Sequence, residues 1–179
     1  MKSCTIKNIM LCFSIMLLST NLNAQKFAPI DKSPMDAASF PSSYKVSDKN
    51  VKVIYGRPQL KGRSLSELIP NGKQWRTGAN EAVEITFYKN MQVAGTVIKA
   101  GTYTLSTIPG EKEWTLIFSS DLNVWGSYFY NKDNDVARII VETSQAIDVL
   151  EAFSITFDDE GNMFLGWDTL RVKVPMTVN

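Results

Sequence analysis

Short runs rich in Val, Ile, Thr, Tyr and Phe follow one another from residue 44 onward, separated by Gly, Asn, Asp and Pro. Apolar and polar residues alternate in several of these runs. Val83, Ile85 and Phe87 would lie on one face of an extended chain, with Glu84 and Thr86 on the other. A two-residue period is typical of a strand with one buried face. The pattern therefore predicts a chain of short β-strands joined by close turns.

We expect about ten such strands, some of which will merge or split. Because almost no helix accompanies them, their apolar faces must be buried by stacking two sheets or by closing one sheet on itself. We predict an all-β, antiparallel β-sandwich, with barrel-like closure as the second choice. The strand segments lie near residues 44–48, 51–56, 82–89, 91–94, 96–99, 102–108, 113–119, 125–130, 136–143, 149–158 and 163–175.

At most one short helix is expected, over residues 64–69. Ser64 is a good N-cap residue, and Glu67 stands three positions later, where a capping box places its carboxylate. Pro70 and Gly72 would then end the helix. A polar turn is expected at residues 158–162, between two long apolar strands.

The first 24 residues have the three parts of a secretory signal peptide. Lys2 and Lys7 precede an apolar run at residues 9–18, and the segment ends in Leu22-Asn23-Ala24. We expect cleavage after Ala24 and export to the periplasm or the extracellular space. The run is shorter than the roughly 20 apolar residues that span a bilayer, and no later segment replaces it, so no membrane span is expected after cleavage.

The chain beyond the signal peptide is predicted to comprise an extended N-terminal leader at 25–43 and a single β-sandwich domain at 44–179. The leader contains three prolines and several serines with little periodicity. A domain of this size buries about 70% of its unfolded surface and needs no disulfide. Both cysteines, Cys4 and Cys12, lie in the predicted signal peptide.

The sequence contains no histidine. Together with the position of the cysteines, this excludes Ser-His-Asp and Cys-His catalysis, the common zinc sites and haem ligation by histidine. We therefore expect neither a metal nor a cofactor. Lys and Arg number 19 against 18 Asp and Glu, and loss of Lys2 and Lys7 would lower the basic count to 17. A nearly neutral domain of this kind is not expected to bind nucleic acid.

Two glycine-punctuated segments, 55–63 and 72–81, interrupt the alternating pattern. Arginine forks in such loops would bind a carboxylate, phosphate or sulfate, and a tryptophan would stack on a sugar. In the alternative interpretation, the arginines at 57 and 76 pair internally with Glu67, Glu81 or Glu84, and the tryptophan at 75 fills the core. The candidate ligand-binding residues are Arg57, Lys61, Arg63, Trp75, Arg76, Asn80 and Glu81.

Glu81 and Asp168 are the candidate catalytic carboxylates, because neighbouring aromatic or turn residues would desolvate them and raise their pKa. A glycosidase needs two such groups facing each other. The competing interpretation pairs Asp168 with Arg171 and Glu81 with Arg76. The four tryptophans would either line a carbohydrate cleft or pack in the core; they are Trp75, Trp114, Trp125 and Trp167.

The same two segments, together with residues that follow them, resemble a known family. The strings Tyr55–Arg63 and Gly72–Glu81, the latter containing Trp-Arg-Thr-Gly-Ala-Asn-Glu, are similar to the signature of Domain of Unknown Function 2911. Residues 100–105, Ile108-Pro109-Gly110, Trp114 and Trp125-Gly126 extend the resemblance, which runs from about Ser33 to the C-terminus. It implies an exported bacterial domain without an established activity, and so it adds no mechanism.

We expect a non-catalytic exported module that binds a small anionic or glycan-like ligand through these loops. Two alternatives stay open. One is a cofactor-free hydrolase that uses Glu81 with Asp168, and the other is a purely structural envelope protein. Binding and hydrolysis both require the loop residues to converge in one accessible pocket, whereas a structural role does not.

Overall fold

The computed structural model describes residues 25–179, so the predicted signal peptide lies outside the described residues. Residues 25–30 form neither helix nor strand. Residues 31–179 form one unit with ten strands, in which every paired strand is antiparallel. The prediction of an all-β antiparallel fold of about ten strands is confirmed.

The strands follow the alternation seen in the sequence. Buried and exposed positions alternate along β2 and β3, as expected for strands with one face in the core. The strands are β1 Met35–Phe40, β2 Val51–Gly56, β3 Val83–Phe87, β4 Met91–Val93, β5 Thr96–Ile98, β6 Gly101–Pro109, β7 Glu113–Ser119, β8 Asp135–Phe157, β9 Met163–Val174 and β10 Met176–Val178.

Two sheets contain these strands. The larger has seven strands in the order β1-β2-β3-β6-β7-β8-β9, and the smaller has three in the order β10-β4-β5. The described residues also include one helical turn, α1, at Leu65–Leu68, and a 3-10 turn at Lys132–Asn134. The predicted capping box is present at α1, where the Ser64 N–H donates to the Glu67 carboxylate at 2.8 Å. The prediction of at most one short helix is confirmed.

The larger sheet curls back on itself. Strand β8 is long enough to pair with β7 through its first half and with β9 through its second half. The second half also meets the chain that follows β2. There, Leu60 N–H donates to the Glu151 carbonyl at 2.9 Å, and Phe153 N–H donates to the Pro58 carbonyl at 2.9 Å. These bonds give the sheet the form of a half-barrel, which combines features of the two predicted architectures.

Strand β1 lies inside the segment 25–43, for which we expected a leader. It pairs with β2 along its whole length, and its Phe40 ring packs 6.3 Å from the Phe157 ring. The sequence concealed this strand because Ala37-Ala38-Ser39 lacks alternation and prolines flank it. Segments 44–48 and 125–130, expected as strands, contain turns and no strand longer than a single bridge. The segments 136–143 and 149–158 belong to a single strand, β8.

Candidate functional site

A cleft of about 390 Å³ opens beside α1 and the loop formed by residues 74–80. Two arginines contribute to its lining, and no aspartate or glutamate does. The remaining lining is a mixture of neutral polar and apolar side chains. The lining residues are Ser33, Pro58, Arg63, Leu68, Pro70, Gln74, Trp75, Arg76, Gly78, Ala79, Asn80, Ser127 and Trp167.

The loop at the cleft wall has an unusual backbone conformation. Thr77 and Asn80 have φ values of 60° and 63°. Positive φ is a genuine outlier for a β-branched residue, and Thr77 is also fully buried. Its Oγ1 donates to Thr107 Oγ1 at 3.0 Å, which ties the loop to β6. Conformations of this kind persist only where the surrounding structure enforces them, and they cluster at functional sites.

Two glycines allow the loop to lie directly against the end of β2. A Cβ atom on Gly56 would lie 2.3 Å from the Ala79 carbonyl oxygen, and one on Gly78 would lie 2.9 Å from the Gly56 carbonyl oxygen. Both distances are too short for any other residue type. The glycines therefore fix the position of Ala79 and its neighbours in the cleft wall.

The floor of the cleft is formed by buried aromatic rings. The Trp75 ring stacks on the Trp167 ring at 6.2 Å and 12°, and it meets Trp114 and Phe153 edge-on. Trp75 is only 4% exposed. It therefore fills the core, as the alternative interpretation expected, and does not offer an open stacking face to a ligand.

Arg76 lines the cleft, and its guanidinium has no partner within the described part of the chain. Its buried Nε–H donates to no acceptor in residues 25–179, and no carboxylate in that range forms an ion pair with the guanidinium. The carboxylate of Glu84 instead accepts the Asn123 N–H at 3.0 Å, and Glu81 is exposed. The internal pairing considered for Arg76 is therefore absent from the described residues.

Arg57, another candidate ligand-binding residue, lies outside the cleft lining. Its Nη1 lies 2.9 Å from the Asp36 carboxylate, its Nη2 donates to Ser154 Oγ at 2.7 Å, and its Nε donates to the Phe153 carbonyl at 3.1 Å. The side chain joins β1 to β8 and does not line the cleft. Arg57 is thus a structural brace, because its three donor nitrogens are all engaged.

Arg63 and Asn80, two of the candidate ligand-binding residues, line the cleft. Arg63 donates through Nε and Nη2 to two carbonyls of the preceding turn, both at 2.9 Å. Asn80 contacts Asp31, an exposed residue. The pKa of Asp31 lies below its usual value, first because the Ser33 N–H and then because the Asn80 side chain donates to its carboxylate, while burial opposes the shift.

Lys61 and Glu81, also predicted as ligand contacts, are exposed and do not line the cleft. Asp168 does not line it either. Arg171 donates to the carbonyl oxygen of Asp168 at 2.9 Å rather than to its carboxylate. The lining of the cleft therefore includes neither candidate catalytic carboxylate.

The structure adds lining residues that the sequence did not indicate. Ser33 lies in the predicted leader, and Ser127 lies in a segment expected to be a strand. Gln74 directly precedes the Trp-Arg-Thr-Gly-Ala-Asn-Glu string, and this position was the one indication in the sequence that Gln74 belongs to the site. Trp167 was considered only as one of four tryptophans.

Residues 25–179 contain neither a cluster of metal-binding side chains nor a helix that could span a membrane. No group of three or more His, Cys, Asp or Glu side chains there could hold a metal ion. No helix within that range is long and apolar enough to cross a membrane.

One protein-family model matches most of this chain. A family model described as "Protein of unknown function (DUF2911)" matches residues 33–176. The chain belongs to the DUF2911 family. The DUF2911 match begins at Ser33 and includes every residue that lines the cleft. A comparison with curated proteins and one with solved structures each found no match.

Proposed function

We propose that this DUF2911 domain is a non-catalytic, extracytoplasmic binding module whose cleft holds a small anionic ligand. The observation that carries the proposal is Arg76, whose buried Nε has no partner among the described residues. A buried N–H donor without an acceptor destabilises the folded protein. A carboxylate, phosphate or sulfate in the cleft would supply that acceptor.

The charge of the lining supports an anion over other ligands. Arg63 adds a second cation to that of Arg76, and no carboxylate in the lining opposes them. Guanidinium groups bind carboxylate and phosphate oxygens through charge-assisted, often paired, hydrogen bonds. The field of the two arginines would also attract an anion and repel a cation.

The neutral side chains of the cleft would recognise the rest of the ligand. Ser33, Gln74, Asn80 and Ser127 offer hydroxyl and amide groups that both donate and accept hydrogen bonds. Pockets for small molecules commonly combine apolar walls with a few such polar groups. The signal peptide predicted for residues 1–24 would export the domain and so supports a ligand found outside the cytoplasm.

Binding is favoured over hydrolysis because neither Glu81 nor Asp168 lines the cleft. Binding is favoured over a purely structural role because Arg76 forms no ion pair with any carboxylate in residues 25–179. Arg57 shows what an arginine with only a structural role looks like in this protein.

Thermal unfolding of the purified protein with a panel of organic acids, phosphate and sulfate tests the proposal. A ligand that binds only the folded state raises the melting temperature. We expect at least one anion to do so for the wild type and for Arg57→Gln, and none to do so for Arg76→Gln. The proposal is wrong if no anion raises the melting temperature, or if folded Arg76→Gln responds as the wild type does.

A further inference from the structure

A loop next to the cleft exposes three aromatic side chains. Within residues 122–130, Trp125 is 54% exposed, Tyr128 82% and Phe129 73%. A contiguous group of exposed apolar side chains is typical of an interaction site, whereas single exposed apolar side chains are ordinary on protein surfaces. Ser127, which lies between these aromatic residues, lines the cleft itself. The loop that carries the exposed aromatic residues therefore contributes one residue to the cleft lining.

The first half of this loop is attached to the cleft wall by its backbone. Ala82 N–H donates to the Val124 carbonyl at 3.0 Å, and Gly126 N–H donates to the Asn80 carbonyl at 3.0 Å. Trp125 forms an isolated β-bridge with Glu81. Displacement of the loop would thus break the hydrogen bond between Gly126 and Asn80, and Asn80 lines the cleft.

The second half of the loop is fixed by a polar cluster. The Tyr130 hydroxyl donates to the Asp135 carboxylate at 2.7 Å, and Arg138 forms an ion pair with the same carboxylate at 2.7 Å. The loop therefore holds its three exposed rings on an ordered backbone. An ordered surface loses less conformational entropy when it binds a ligand.

We propose that the ligand of the cleft is an acidic oligosaccharide. Its acidic group would bind to Arg76 and Arg63, and the neighbouring sugar units would stack on Trp125, Tyr128 and Phe129. This inference rests on the proposed anion-binding function and identifies the class of anion.

The chemistry of a sugar acid matches each part of this surface. The C–H face of a pyranose ring is apolar and carries partial positive charge, so it stacks on the electron-rich face of an aromatic ring. Its hydroxyl groups would pair with the neutral polar side chains of the cleft, Ser33, Gln74, Asn80 and Ser127. Its carboxylate or sulfate would bind the arginines.

The local charge distinguishes this ligand from a lipid surface. Loops and helices that bind anionic membranes carry lysine or arginine around their apolar side chains. Residues 122–130 contain neither, and the flanking residues 121 and 131–133 contribute two aspartates, Asp121 and Asp133, against one lysine, Lys132. A sugar chain bound at the cleft arginines does not need cations on the aromatic loop.

Binding to an array of uronic-acid, sialylated, sulfated and neutral oligosaccharides tests the inference, followed by calorimetric titration of an array ligand and its acidic monosaccharide. We expect acidic oligosaccharides to bind and neutral ones to fail. Trp125→Ala/Tyr128→Ala should weaken binding of the oligosaccharide by about tenfold and leave that of the monosaccharide unchanged. Tyr44→Ala, at an exposed tyrosine outside the loop, is the matched control.

The possible failures are distinguishable. If small anions bind through Arg76 but no acidic oligosaccharide binds, or the double variant binds oligosaccharides as the wild type does, the inference is wrong and the proposed function stands. If no anion of any size binds, both are wrong. Loss of binding to phospholipid vesicles in the double variant, with oligosaccharide binding intact, would assign the aromatic loop to a membrane and overturn the inference.

Discussion

The guanidinium groups of Arg57 and Arg76 lie in different surroundings, since that of Arg57 has three partners and the buried Nε of Arg76 has none among residues 25–179. Both residues follow an aromatic or glycine residue in a glycine-punctuated segment, so their local sequence contexts are alike. Arg57 is engaged by Asp36, Ser154 and Phe153, two of which lie almost a hundred positions away. Such partners depend on the curl of the sheet, which local patterns do not encode.

Replacement of each arginine by methionine should have opposite effects on stability. Arg57→Met removes an ion pair and two further hydrogen bonds, and we expect it to lower the free energy of unfolding by about 1–3 kcal/mol after allowance for partial exposure. Arg76→Met removes a buried donor that has no partner, so stability should stay unchanged or rise. Chemical denaturation of both variants measures the difference. Equal losses would show that Arg76 also has a structural role.

At the scale of elements, strands with regular alternation were predictable and the irregular segments were not. β3 and β7 follow the expected bounds closely, and the turn at 158–162 joins β8 to β9 as expected. β1 pairs with β2 along its length, but none of its residues is fully buried, so the strand has no regular apolar face for the sequence to reveal. The aromatic residues of 125–130 suggested a strand, but the structure places them in an exposed turn.

The contact between β2 and the cleft loop predicts a large effect of one methyl group. Gly56→Ala would place Cβ within 2.3 Å of the Ala79 carbonyl oxygen, so the loop must move. We expect a loss of about 2–4 kcal/mol in unfolding free energy together with weaker ligand binding. Gly72→Ala is the matched control, since its φ is 69° but its surroundings are open, and strain alone should cost about 1 kcal/mol. Similar losses in the two variants would contradict the close contact.

The turn between β8 and β9 predicts a pH dependence. The Asn162 side chain lowers the pKa of Asp158; the backbone N–H groups of Asn162 and Glu160 and the charge of Lys173 act in the same direction, against the effect of burial. Ionised Asp158 therefore stabilises the fold above the unfolded-state pKa of about 3.9, and this contribution is lost as the pH falls through the lower folded-state pKa.

Asp158→Asn should accordingly lower stability at neutral pH, and the deficit should shrink as the pH falls below about 4. Unfolding measured from about pH 2 to about pH 7 checks this, because the interval extends to both sides of the ordinary carboxylate pKa of about 4. Asp159→Asn, at an exposed neighbour, serves as the control. A deficit that is constant with pH would mean that the carboxylate charge does not contribute.

At the scale of the whole molecule, the cleft is assembled from parts of the chain that are far apart in sequence. Ser33, the loop at 74–80, Ser127 and Trp167 line the same cleft. Contacts distant in sequence, such as those between residues 58–60 and 151–153, bring these parts of the fold together. The cations at 63 and 76 and the amide at 80 were candidate contacts because of the segments that contain them, and all three line the cleft. Ser33 and Ser127 could not be predicted, because nothing near them in sequence marks a site.

In the proposed function, the Arg76 Nε–H donates a hydrogen bond to the bound anion, and NMR can observe that group directly. We would record the side-chain Nε–H signals of the arginines while adding the anion that most raises the melting temperature. The Arg76 signal should shift as the cleft fills, and the Arg57 signal should stay in place because its Nε already donates to Phe153. An Arg76 signal that does not move while the ligand binds would contradict the proposed role of Arg76 as the anion-binding donor.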